Sequence, residues 1–441
     1  MRVIDRWVEY RRSFARVPAV SVGIVHDGLI VFKKGYGYAD LAKRIRATDT
    51  TCYRIASISK TITATAVMQL VERGTVQLDD KVQKFLPWFR SKKDPGLTKI
   101  TLRHLLTHMA GIERDGDTAH WENDQFPTVA HIQEHVRHGI AVYRPLETFK
   151  YSNLGYAIVG QVIGTVSGQP YERYVEDHII RKLGLTHTSP TLSVAQRRRL
   201  ATGYGRDIPP NDRAALAHAE THAMVPATGF VSNARDLCAF MSAHFLGNPI
   251  LLSDESKREM QRIHWLNKKT ERHYGIGHDI WKADQNFIVG HGGAFPGFIT
   301  RIGWDPERRI GVTVLTNALD DLAGTLLTGI FSTIYYFAEH SAKFRTSGKR
   351  RSGLARYEGR FSSRWSDADV VRVGNQLVAF VLMSDKPMTD GAILERLGGH
   401  VFRIGSGDEF GYLGERAAFQ FDRRGRLTGL SWGPIPMRVA R

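Results

Sequence analysis

Ser57 and Lys60 stand three residues apart in the segment YRIASISKTITATAVMQLVERG. Ile62, Val67, Leu70 and Val71 recur at helical spacing and Gly74 supplies a stop. The segment therefore predicts a helix that carries both side chains on one face of its first turn. A serine hydroxyl is a weak nucleophile until something removes its proton, and a neighbouring lysine with a lowered pKa can do so. The helix N-terminus adds positive potential that favours alkoxide and oxyanion. Chance alone yields about one such SxxK pair in a chain of this size, and Ser57 also suits a helix N-cap. By itself the pair decides nothing.

Two further groups of residues can supply the rest of such a site. Tyr151-Ser152-Asn153 precedes the apolar helical run LGYAIVGQVIGTVSG. Tyr151, as a phenolate or hydrogen-bonded to Lys60, can relay a proton, while Asn153 can hold the lysine and a substrate amide. The plainer reading is a tyrosine packed at a helix start with the asparagine as its cap. His291-Gly292-Gly293, in IVGHGGAFPGFITRIGW, lies at the edge of a predicted strand, where glycine lets backbone approach a substrate. A backbone N–H beside it can complete an oxyanion hole. A simple glycine turn is the alternative.

These groups must be brought together by the surrounding elements. AVSVGIVHDGLIVFKKGYGYAD reads as two apolar β-rich runs turned at Asp27-Gly28. Residues 54 to 286 are mostly helical and loop-rich. FITRIGW and RIGVTVLTN then form a second strand pair around Asp305-Pro306-Glu307. Strands at both ends of a long helical insert predict one antiparallel sheet assembled from both ends and flanked by helices. A helix is expected near residues 3 to 16. The uncharged run Leu322 to Ala338 falls short of a membrane span and reads as a helix buried against a sheet. Residues 341 to 353 (SAKFRTSGKRRSG) read as a linker. After them DVVRV, LVAFVLM, VFRI, AAFQF and LTGLSW alternate with turn signals, the pattern of a small β-barrel or sandwich. The expected division is a domain over 1–340, a linker over 341–353 and a β domain over 354–441.

Composition narrows the function classes. The chain has 441 residues, 42% hydrophobic and 24% charged, which is globular and excludes a disordered or fibrous protein. Only Cys52 and Cys238 are present, so there is neither a disulfide framework nor a CxxC-type zinc or redox site. Lys and Arg number 61 against 44 Asp and Glu, a net charge of +17 that favours anionic partners. The charge is scattered in short pieces, Arg11-Arg12, Arg197-Arg198-Arg199 and Lys349-Arg350-Arg351, and matches no nucleic-acid-binding motif. No nucleic-acid partner is expected. His218-Ala219-Glu220-Thr221-His222 lacks the glutamate that a zinc protease needs directly after the first histidine. His104 and His108, four apart, have no evident third ligand. There is no G-x-S-x-G elbow, G-x-G-x-x-G or P-loop, and neither metal nor cofactor is called for. Charges interrupt the first residues every few positions, so no signal peptide is read and a cytoplasmic location is expected.

Taken in this order and spacing, the motifs resemble those of the serine β-lactamase and penicillin-recognising family, which includes DD-peptidases, class C β-lactamases, D-aminopeptidases and family VIII esterases. Ser57-Ile58-Ser59-Lys60 matches its SxxK motif, Tyr151-Ser152-Asn153 its YxN and His291-Gly292-Gly293 its [KH]xG. LDDKVQKFLPWF, ITLRHLLTHMAGI, KLGLTHTSPTL and PATGFVSNARDLCAF are similar too, and the likeness spans about residues 10 to 335. It implies an α+β fold: an antiparallel sheet flanked by helices, with a helical lobe. The region 354–441 resembles a lipocalin-like β-barrel found after this domain in some relatives. The resemblance further implies Ser57 as nucleophile, Lys60 as its base partner, Tyr151 as general base and proton shuttle, and Asn153 as a substrate-positioning residue. The backbone N–H groups of Ser57 and Ala294 would form the oxyanion hole. His291 stands where many β-lactamases carry lysine, which favours an esterase or a D-amino-acid peptidase over a β-lactamase. A small molecule or short peptide is the expected substrate, with no stable membrane insertion, and a homo-oligomer remains open. β-Lactamase or acyltransferase chemistry on the same fold, and a catalytically silent binding protein, are the alternatives.

Overall fold

Strand β1 (Ala19–His26) turns at Asp27 and Gly28, whose φ angles of 50° and 82° suit a tight hairpin, into β2 (Leu29–Asp40). In the computed structural model, which describes residues 1–192, 194–210, 212–344, 353–405 and 411–440, β1 is buried along nearly its whole length. Both of its faces are covered, so it reads as a continuous apolar run without alternation. The next strands are β3 (Ile45–Arg46), β4 (His273–Tyr274), β5 (Asp279–Ala283), β6 (Asn286–Phe295), β7 (Phe298–Asp305) and β8 (Ile310–Thr316). They join in the order β3-β2-β1-β8-β7-β6-β5-β4, all antiparallel. The central pairing sets Val22 against Val314, so the sheet is assembled from both ends of the helical insert.

Within Val17–Gly324, one of the two compact units of the chain, two helices bear on the site. Ser59–Glu72 is buried on every side through Leu70, more completely than an apolar stripe alone would predict. Its buried threonines make this tolerable: Thr61 Oγ1 donates to Ile58 O at 2.8 Å and Thr65 Oγ1 to Thr61 O at 2.7 Å. Asn153–Ser167 begins at Ser152, whose Oγ accepts from the Gly155 N–H at 2.8 Å, and ends at Gly168 in the left-handed region. The cap is Ser152, not Asn153. That leaves the asparagine amide available to other partners.

The second unit comprises Met1–Arg16 and Thr325–Arg441. Eight strands follow one another around a closed barrel: β9 (Gly359–Ser362), β10 (Asp367–Val373), β11 (Gln376–Val381), β12 (Ala392–Gly398), β13 (Val401–Ile404), β14 (Arg416–Phe421), β15 (Leu427–Trp432) and β16 (Ile435–Val439). Phe361 on β9 pairs with Val439 on β16 to complete the ring. The helix Arg2–Phe14 is stitched to this barrel: Trp7 Nε1 donates to Ser384 O at 2.9 Å, Tyr10 Oη to Asp367 at 2.8 Å, and Arg2 pairs with Glu358 at 2.7 Å. Gly329, on the helix Leu322–Glu339, lies so close to the Trp7 ring that a Cβ there would collide with it. Among the described residues no helix is long and apolar enough to cross a membrane. The linker reading over 341–353 falls mostly on residues 345–352, outside the described residues, as does Lys349-Arg350-Arg351.

Candidate active site

Ser57 sits in the single turn Ala56–Ile58 that leads into the Ser59–Glu72 helix. Ala56, just before it, holds a φ of 48°, a conformation that costs a non-glycine residue energy and persists only where its surroundings impose it. Those surroundings are visible. Strand β6 packs its Gly293 so closely on the Ile55 carbonyl that any Cβ there would clash, and Thr300 on β7 donates its hydroxyl to the same carbonyl at 3.1 Å. The second glycine of the His-Gly-Gly group therefore seats the strand against the turn that presents Ser57.

Lys60 is fully buried beneath it. Its Nζ lies 3.0 Å from Ser57 Oγ, 2.6 Å from Asn153 Oδ1 and 2.9 Å from the Ala227 carbonyl, in the turn Val225–Gly229. Burial drives its pKa well below the ordinary lysine value, with Asp115 opposing the shift. Asn153 is fixed at its other end, where Nδ2 donates to Asp115 Oδ1 at 2.6 Å. The Tyr151 ring lies with its centre 4.8 Å from Lys60 Nζ, and its phenol faces Ser57, which works against the rise in its pKa. Burial raises the pKa of that phenol, so it is a neutral phenol near pH 7 and the phenolate reading has no support.

His291 is buried with its Nε2 3.1 Å from Tyr274 Oη and its Nδ1 2.6 Å from the Gly292 carbonyl. Burial lowers its pKa to about 4, so the imidazole is neutral at neutral pH. Of the four arginines that line the cleft, Arg114, Arg206, Arg272 and Arg301, the last stands against the glycine that follows His291. Paired opposite Gly292 across β6 and β7, its guanidinium overhangs the place a Gly292 side chain would occupy. Among the described residues, Arg301 has no side-chain hydrogen bond or ion pair, and Arg272, the other arginine near it, is already paired with Asp279.

Ser57, Tyr151, Asn153, His291, Gly292, Gly293 and Ala294 all line one cleft of 840 Å³, walled by Trp121, Phe149 and Trp265, with Lys60 below its floor. The three separate sequence groups converge. Three other contributors belong to none of these sequence groups. Asp115 holds Asn153. Arg301 enters the cleft. His108, set aside above as one of a pair with no third metal ligand, is buried with its ring centre 4.2 Å from that of Tyr151, and its Nδ1 accepts the Ser152 N–H at 3.1 Å. Among the described residues no cluster of histidine, cysteine or carboxylate side chains could hold a metal ion, and both cysteines are buried and free.

A sheet built from both sides of a helical insert, with a serine and a buried lysine at the start of its core helix, defines the class. The chain belongs to the beta-lactamase family, whose model matches residues 4–329. That family's fold fits a serine hydrolase working through an acyl-enzyme. Protein flp of Staphylococcus aureus (strain NCTC 8325 / PS 47) is 26% identical over 407 residues, covering 89% of this chain and 76% of its own. A Bacillus subtilis (strain 168) protein that carries the name penicillin-binding protein PbpX is 34% identical over 183 residues, 41% of this chain and 44% of that one. The solved structure of the octameric penicillin-binding protein homologue from Pyrococcus abyssi superposes with a TM-score of 0.67 at 22% identity, covering 99% of both chains. The last likeness is one of fold.

Proposed function

We propose that this protein is a serine hydrolase that turns over small esters or amides through an acyl-Ser57 intermediate, as an esterase or a peptidase directed at D-amino-acid substrates. The observation that carries the reading is the set of contacts at Lys60 Nζ. A neutral amine has two N–H groups and one lone pair. Two of its three partners, Asn153 Oδ1 and the Ala227 carbonyl, are acceptors that use both N–H groups. The lone pair is left to the third, the Ser57 hydroxyl at 3.0 Å. Burial lowers the pKa of the amine, and the geometry aims its lone pair at the serine.

In this reading Lys60 takes the Ser57 proton as Oγ bonds to the substrate carbonyl carbon. The resulting oxyanion is held by the backbone N–H groups of Ser57 and Ala294, a device in which each donor contributes on the order of 10²- to 10³-fold in rate. As the carbonyl re-forms, the bond to the leaving group breaks. Tyr151, a phenol held beside both Ser57 and Lys60, gives its proton to that leaving group and is reprotonated from Lys60. Water then repeats the sequence on the acyl-enzyme.

Arg301 favours a substrate that carries a carboxylate. With His291 neutral, the third motif brings no positive charge, and the unpaired guanidinium beside it provides the charge and fork geometry that a carboxylate matches. The test is a panel of neutral p-nitrophenyl esters and carboxylate-bearing D-peptides, wild type beside Ser57→Ala. Turnover by the wild type alone supports the reading; equal turnover by both removes Ser57 as nucleophile. The octameric relative makes assembly into a homo-oligomer a further expectation, read by light scattering.

A further inference from the structure

The C-terminal barrel holds a cavity that no part of the hydrolytic reading uses. An eight-stranded barrel is just wide enough for its inward side chains to fill it, or to enclose one small ligand where they do not. Elsewhere in this barrel Phe361, Leu394, Phe402, Phe419 and Leu430 fill the interior and are fully or almost fully buried. On three neighbouring strands the inward positions are instead alanine: Ala368 on β10, Ala379 on β11 and Ala392 on β12. Ala379 and Ala392 stand directly opposite one another. The missing side-chain volume leaves a cavity of 340 Å³, whose walls also include Val381, Ile435 and Met437.

Its rim is aromatic. Trp432 and Tyr412 border it, and Trp365 stands at the mouth with 82% of its surface exposed, an unusual position for an indole in a folded protein. The polar groups at the opening are already engaged or negative. Ser363 Oγ donates to the Ser366 carbonyl at 3.1 Å, and Asp390 accepts from Ser384. A carboxylate at the rim with no cation among the lining residues disfavours an anionic guest. We propose that this cavity is a binding site for one small, uncharged apolar molecule, an aliphatic chain or an aromatic ring that inserts past Trp365 onto the three alanines. The binding is non-covalent and independent of Ser57.

The test uses the full chain and the neutral fluorophore 1-aminoanthracene. Saturable 1:1 binding is expected, displaced by 1-octanol at concentrations about tenfold lower than by octanoate. Ala379→Leu and Ala392→Leu fill the cavity and should weaken binding by about tenfold or more while the far-ultraviolet spectrum is retained. Trp365→Ala changes an exposed residue that the fold does not need and should weaken it several-fold. If the filled variants do not fold, Trp365→Ala and the octanol–octanoate order still decide. No saturable binding by the wild type, binding unchanged in Trp365→Ala, or preferential displacement by octanoate would overturn the proposal.

Discussion

The cleft of the Val17–Gly324 unit and the cavity of the barrel are both concave, but they are built by opposite means. The cleft is made of added chemistry: a buried amine, a phenol and an imidazole, each held by named partners, with the unpaired guanidinium of Arg301 beside them. The barrel cavity is made by subtraction, from three methyl groups where larger side chains would fit. A reacting site needs polar groups whose protonation and direction are controlled, so burial and hydrogen bonds are spent on Lys60 and Asn153. A site for an apolar guest needs only vacant volume and a dry wall.

The predictions sharpen that contrast. The largest effect belongs to Ser57→Ala, which should lower ester turnover by about 10⁴-fold or more because no other group in the cleft can carry the acyl chain; hydrolysis of p-nitrophenyl acetate checks it, and the barrel's ligand binding should be untouched. Tyr151→Phe should cost about 10²-fold in kcat if the phenol passes the proton, and a rate near wild type would take it out of that role. Arg301→Ala should raise KM for a carboxylate-bearing substrate by about tenfold and leave a neutral ester unaffected; a uniform change would mean that the arginine is structural.

The smallest effect is on stability. His291 and His244 are buried with pKa values lowered to about 4, whereas an unfolded chain protonates its histidines near pH 6.5. Between those values the unfolded state binds more protons than the native one. The stability these histidines confer is therefore complete above about pH 6.5 and is lost as pH falls toward 4. Thermal midpoints across that range should decline with acidity, and a flat profile would show that the imidazoles are not held neutral.

How much of this could be read from the chain follows from the same contrast. The candidate reactive residues fall in three short groups, each weak alone, whose order and spacing together point to Ser57, Lys60, Tyr151, Asn153 and His291. Their supports belong to no such group. Asp115 lies in a charged loop that looks like any solvated turn, and His108 was one of a pair with no third metal ligand. Arg301 was within reach: counting outward from a two-residue Pro296-Gly297 turn pairs Phe295 with Phe298, and the same count puts Arg301 opposite Gly292. The two-ended sheet was legible because its central strands are continuous apolar runs. Five of the eight barrel strands were legible by alternation and turns, whereas β9 (GRFS) has Phe361 as its one large apolar residue, β12 carries Glu395 and Arg396, and β16 contains Pro436. Three alanines eleven and thirteen residues apart make no motif, so the cavity emerged only when the register set Ala379 opposite Ala392, with Ala368 on the adjoining strand. The hold of Trp7 on the barrel, across more than three hundred residues, was equally invisible.

The central claim is that a neutral Lys60 activates Ser57. It is tested most directly by the rate at which the protein acquires an acetyl group from p-nitrophenyl acetate, followed by intact mass across pH 5 to 10, in wild type and Lys60→Met. The account predicts an adduct on Ser57 whose rate of formation rises to a plateau with a midpoint well below the ordinary lysine pKa, and a loss of about 10³-fold in Lys60→Met. An adduct that forms equally fast in both proteins, or a rate that climbs without a plateau through pH 10, would contradict it.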